Sequence, residues 1–220
     1  MKTELKEISQ IIELVYNEEK TYPGDLTHYF NILWKSKGVT NPYHNLRHIL
    51  HVFWHTYRAL MEHRDHLSPV DIRITLIAAL FHDIDHIGKC GPRFTDLLNI
   101  EKAIGNLDEH LLPEDRYLFI DIGLCIKCTE FPHKDIPLPF HAKLLRDVDT
   151  ASTLHTTWIQ QTIFGLAEEM DMTPDAMLKM QAPFLSSLKF ETEWAEKEYR
   201  PQIENRLIEV EKMLKCLDLC

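Results

Sequence analysis

A chain of 220 residues, 45% hydrophobic and with a formal net charge of −10, has the size and composition of one globular domain able to form a core without staples. The acidity argues against polymeric nucleic acid, whose phosphate backbone it would repel. The longest wholly apolar run, Leu76 to Phe81, is far short of the roughly 20 residues that cross a bilayer, so no membrane segment is expected and no signal peptide is read at the start.

Few glycines, apolar residues spaced by three and four, and no alternating stretch of useful length predict an all-α fold, a single compact helical domain over 1–220. Segment 3–20 places Leu5, Ile8, Ile12 and Val15 on one face, and Tyr22-Pro23-Gly24-Asp25 makes a turn. Helices are expected at about 26–36 and 43–65. Ser68-Pro69 then supplies an N-cap and a first-position proline for a helix ending at "FHDIDH", followed by a loop over 87–94. Further helices are expected near 114–128, 140–148, 152–170, 174–189 and 191–215, with "EFPHKDIPLP" as an irregular link and Pro201 as a kink or break. In the last of these, Trp194, Ile203, Leu207 and Val210 pack inward beneath a solvated charged face. The five cysteines, at 90, 125, 128, 216 and 220, are odd in number and point to reduced thiols in a cytoplasmic setting. Cys125 and Cys128 fall in a helical pattern without a second CxxC and read as packing.

The run "NPYHNLRHILHVFWH" sets His44, His48, His51 and His55 within a sector of roughly 60° on a helix, with Leu46, Ile49, Phe53, Tyr57 and Leu60 opposite. On the same reading His44/His48 and His82/His86 are i,i+4 pairs, and Asp83 adds a carboxylate. A mixed nitrogen and oxygen set of this kind suits a divalent ion such as Zn, Mn, Fe, Ni or Mg. "LLRDVDTAS" offers Asp147 and Asp149 to complete the set, and either could instead cap the next helix.

The order His48, His82-Asp83, late aspartate resembles the HD phosphohydrolase superfamily. "PYHNLRH", "FHDIDHIG", "CTEFPH" and "MQAPFL" are similar to successive segments of the cyclic nucleotide phosphodiesterase catalytic domain, across residues 42–184. The resemblance implies a compact HD-domain bundle that hydrolyses a 3′,5′-cyclic nucleotide, a small-molecule substrate, through a hydroxide bridging two divalent metal ions. It implies His48, His82, Asp83 and the late aspartate as metal ligands. "VDTAS" favours Asp149 for the last, with Asp147 in reserve. It further implies His44 as proton donor to the leaving oxygen, His86 as support for the bridging hydroxide or the second ion's waters, and Gln181 and Phe184, with Tyr43, around the substrate. His133 stands as an extra ligand or a loop histidine, and Glu101 matches an acidic position after the HD segment. The chain departs from the family at Ile87, where it has proline, and at His51, where it has aspartate. Hydrolysis of another nucleotide or phosphoester, a di-iron oxygenase, and a nucleotide sensor are the alternative readings.

Overall fold

The computed structural model describes residues 25–89 and 96–218, and no strand occurs among them. Nine α-helices follow one another: α1 (Thr27–Trp34), α2 (Leu46–Glu62), α3 (Pro69–Phe81), α4 (Leu97–His110), α5 (Phe119–Lys127), α6 (Phe140–Ala151), α7 (Ala167–Glu169), α8 (Pro174–Ser187) and α9 (Glu193–Cys216). A π-wound segment, Ile159–Leu166, leads into α7. The expected segment 3–20 and its turn lie outside the described residues, apart from Asp25, as does most of the 87–94 loop.

The helix at the centre is α3. Ser68 Oγ accepts from Asp71 N while the Asp71 carboxylate accepts from Ser68 N, a closed capping box with Pro69 behind it. From Ile74 to Phe81 every residue is buried, so the helix has no solvent face and must be enclosed on all sides. α2, α5 and α6 enclose it, and α1 and α4 pack beside them. A second core forms around Trp158, Met177, Leu178, Leu185 and Ile203, where α8 and α9 meet the π-wound segment. Trp194 touches both cores.

Several boundaries differ from the sequence reading. α2 starts at Leu46 because Asn45 caps it, Oδ1 accepting from His48 N at 3.2 Å, so His44 lies in the preceding loop and the four histidines do not form one helical stripe. α3 ends at Phe81, and Asp85 (φ 56°) turns the chain before His86, so His82 and His86 are not a helical pair either. α4 answers to no expected element. The expected 152–170 helix is broken into the 3₁₀ turn Ser152–Leu154, the π-wound segment and α7. Pro201 leaves α9 continuous: it and Lys197, whose carbonyl loses its helical partner, are both exposed, so water can take that carbonyl. Cys125 and Cys128 are buried packing residues, Cys128 Sγ donating to the Cys125 and Ala142 carbonyls.

Asp115, in the turn before α5, receives Arg73 through two bonds, Nε at 2.7 Å and Nη2 at 2.6 Å, and also the Tyr29 hydroxyl. This ties α1 and the Pro113–Leu118 turn to α3. Replacing Asp115 with Ala leaves a mostly buried guanidinium uncompensated and is expected to cost about 3 kcal/mol in urea unfolding. An unchanged midpoint would show that the network adds nothing to stability.

Candidate metal centre

Four side chains from three helical elements converge. His48 comes from the first turn of α2, His82 and Asp83 from the turn that ends α3, and Asp149 from the last turn of α6. Each offers a ligand atom within 4.8 Å of the others. His48 Nε2 lies 2.9 Å from Asp83 Oδ2 and 3.3 Å from Asp149 Oδ1, and His82 Nε2 lies 3.2 Å from Asp83 Oδ2. The two Nε2 atoms face each other at 3.3 Å. His82 Nδ1 donates to the Ala79 carbonyl at 2.9 Å, which fixes the tautomer of the neutral ring and leaves Nε2 a lone pair turned inward.

Burial disfavours charge on these groups, yet their mutual attraction overrides it. His82 is held well above the ordinary imidazole range by Asp83 and Asp149, and Asp83 well below the carboxylate range, chiefly by His82. Asp149 is lowered by its bonds to His48 and His82. Such a set keeps a positive charge in its middle, supplied by protons or by a cation, and two imidazoles with two carboxylates suit a borderline divalent ion.

Beside it stands a second group, His44, His86 and Glu169, whose ligand atoms also come within 4.8 Å of one another. His44 Nδ1 donates to Glu169 Oε2 at 2.5 Å, and Glu169 Oε1 accepts from Tyr43 N and His44 N. Burial would raise the Glu169 carboxyl, but these donors, His44 first, hold it below its usual range. The His44 ring lies 5.6 Å from that of His48 and stacks on His86 at 3.7 Å. His86 is buried and its pKa is lowered to about 3, by burial first and then by His44. Its Nδ1 accepts from Gly88 N, so Nε2 carries the proton, and that buried nitrogen makes no hydrogen bond among the described residues.

The loop bearing Tyr43 and His44 is clamped from both sides. Asn45 Nδ2 donates to the Asn41 and Pro42 carbonyls and, at 3.4 Å, to Gln161 Oε1. A Cβ on Gly165 would collide with the Pro42 carbonyl, so glycine is what lets the π-wound segment reach this loop. Glu169 and Asn45 escaped the sequence reading. Glu169 sits 125 residues from His44 in a glutamate pair that resembles a solvated face, and only the pattern Y-H-N hinted at Asn45. Asp96 was missed as well: burial pushes its carboxyl up, and the charges of Asp83 and Asp149 add to this against donation from Phe131 N.

Asp147 turns away from the centre. Its carboxylate accepts from Glu191 N, Thr192 N and Thr192 Oγ1, holding the start of α9, and burial pushes it up to about 6. Two residues along a helix turn about 200°, which is why Asp149 and Asp147 cannot serve the same site. Tyr43 is buried, its hydroxyl 3.0 Å from Ser152 Oγ and its ring 5.1 Å from that of His48. Gln181 is buried and donates to the Met177 carbonyl and sulfur. Phe184 meets Phe131 edge-on at 6.3 Å. His133 lies in the irregular link, 2.8 Å from Thr150 Oγ1, and Glu101 is exposed on α4.

The other half of the histidine run forms its own cluster. His51 packs against His55 at 4.3 Å and against His155 at 4.1 Å, and His51 Nδ1 and His55 Nε2 are buried with no hydrogen bond among the described residues. Scanned against known protein families and against curated proteins, the chain matches none.

Two outcomes follow from this geometry. Asp149→Asn is expected to weaken Mn or Zn binding by calorimetry at least tenfold, whereas Asp147→Asn keeps the affinity and lowers the melting temperature; the reverse pattern would reassign the fourth ligand. Burial, then Arg58 and His155, lowers His55 to about 4, and burial and its histidine neighbours hold His51 lower than usual as well. Both are neutral when folded and protonate more readily when unfolded. Their contribution is therefore complete above pH 6.5 and is lost as the pH falls towards 4. A melting profile should drop by several degrees across that window, and the drop should shrink in His55→Gln.

Proposed function

We propose that the chain is a metal-dependent phosphoester hydrolase of the HD type, and within that class a cyclic nucleotide phosphodiesterase. The observation that carries this reading is the pairing of a four-ligand His/Asp centre with an adjacent His44–Glu169 dyad. A metal centre alone fits many roles, whereas a centre with a carboxylate-held imidazole beside it fits chemistry that needs a proton delivered.

His48, His82, Asp83 and Asp149 would hold a divalent ion, and Asp83 in this reading also serves a second one. Ions held there supply a Lewis acid for the phosphoryl oxygens and a water of lowered pKa. The residues of the chain do the rest. Glu169 fixes Nδ1 of His44, which leaves Nε2 at the opposite edge of the ring to pass a proton to a departing oxygen. His86, neutral and stacked beneath, has an Nε2 proton with no partner among the described residues and can donate it to an anionic oxygen. Phe131, more than half exposed, together with Phe184 gives an aromatic surface that favours a planar base over an aliphatic ester.

The deciding experiment is turnover by protein reconstituted with Mn, Mg, Zn or Fe, using cyclic AMP, cyclic GMP, a bis-aryl phosphodiester and nucleoside monophosphates. Cyclic nucleotide cleavage that disappears in Asp83→Ala is expected. His44→Asn should lower kcat by roughly 10²–10⁴-fold and leave metal content intact. Cleavage confined to monophosphates would make the chain a nucleotidase. Stoichiometric metal with no turnover on any of these would end the hydrolase reading, and visible absorption with iron would then favour an oxygenase.

A further inference from the structure

A cavity of about 450 Å³ lies between α4, the end of α5, the link after it and α6, and none of the four metal ligands lines it. Its size falls within the range of small-molecule sites. One wall is aliphatic, with Ile100 and Ile104 of α4 facing the same space as Ile136. The lining also carries charges, and its cations are unequally engaged. Lys134 is taken up by Glu130 at 2.7 Å. Arg146, only 3% exposed, gives Nε to the Cys128 carbonyl, and Nη1 to Glu191 at 2.9 Å and to the Lys134 carbonyl. Its Nη2 makes no hydrogen bond among the described residues, and Lys127 forms no ion pair among them. Nη2 is not sealed from solvent, so an acceptor in the cavity can reach it. Glu101, the remaining carboxylate of the lining, is exposed, as is Lys127.

We propose that this cavity binds a small amphipathic monocarboxylate, its aliphatic tail against Ile100, Ile104 and Ile136 and its carboxylate on Arg146 Nη2 and Lys127. Glu191 and Glu130 already balance Arg146 and Lys134, so the charge left to meet a single carboxylate is that of Lys127, opposed by Glu101 in the same lining. The site is independent of the phosphohydrolase reading and is tested without turnover.

The test is calorimetric titration of the full metal-loaded chain with octanoate, with octylamine and butyrate as comparisons. Octanoate is expected to bind at least tenfold more tightly than either, since octylamine reverses the charge and butyrate removes most of the tail. Lys127→Glu, at an exposed position, should weaken octanoate about tenfold, and Glu101→Gln should tighten it about threefold. Ile104→Trp fills the cavity and should abolish binding. Arg146 is left in place because it holds two backbone carbonyls of the link. Equal binding of octylamine and octanoate would overturn the proposal, as would octanoate binding unchanged in both Lys127→Glu and Ile104→Trp, or no binding at millimolar octanoate.

Discussion

Two imidazoles and two carboxylates sit at the end of a helix that is buried on every side, with nitrogen and oxygen atoms about 3 Å apart. Without positive charge among them, the carboxylates and the facing lone pairs would repel one another, and burial would magnify that repulsion. The surrounding architecture answers this constraint. The three ligand-bearing elements, α2, α3 and α6, all pack on one another in the first core, so the ligand geometry is set by that packing. Pairing and enclosure thus depend on each other: the stretch Ile74–Phe81 can be buried throughout because the polar turn after it is neutralised by its neighbours, and that turn is held in place by the buried stretch.

The second core has a different task. It contributes none of the four ligands, yet through α7 it supplies Glu169, and through the π-wound segment it presses on the loop that carries His44. Asp147 fastens the two cores from the other side by holding the start of α9. α6 therefore serves both, with Asp149 turned towards the candidate metal centre and Asp147 towards α9, and relative movement of the cores would disturb the His44–Glu169 pair before it disturbed the His48, His82, Asp83 and Asp149 cluster.

What could be read from the sequence depended on the range of the interaction involved. The helical character, the N-cap at Ser68 and the candidate group His48, His82 and Asp83 are carried by short motifs, and the fold brings those three side chains together. The histidine run was misread because periodicity alone does not register that Asn45 uses its side chain to start α2, which removes His44 from the helix. α4 was passed over because only Asn99, Ile100, Ala103 and Leu107 face inward, among residues that otherwise look like loop. Glu169 could not be found by any local rule, since its meaning lies in a partner 125 residues away. The choice between Asp149 and Asp147 stayed open until the direction of each carboxylate on α6 was known.

The π winding of Ile159–Leu166 has a consequence for how this chain can vary. A π-helix holds more residues per turn than an α-helix, so the segment accommodates one more residue than the span requires. Losing a single residue there would rewind it as α-helix and remove the bulge that sets Gly165 against the Pro42 carbonyl, shifting the loop that carries His44. Deletions should thus be excluded from a helical stretch that, with Phe164 open to solvent, looks like ordinary surface.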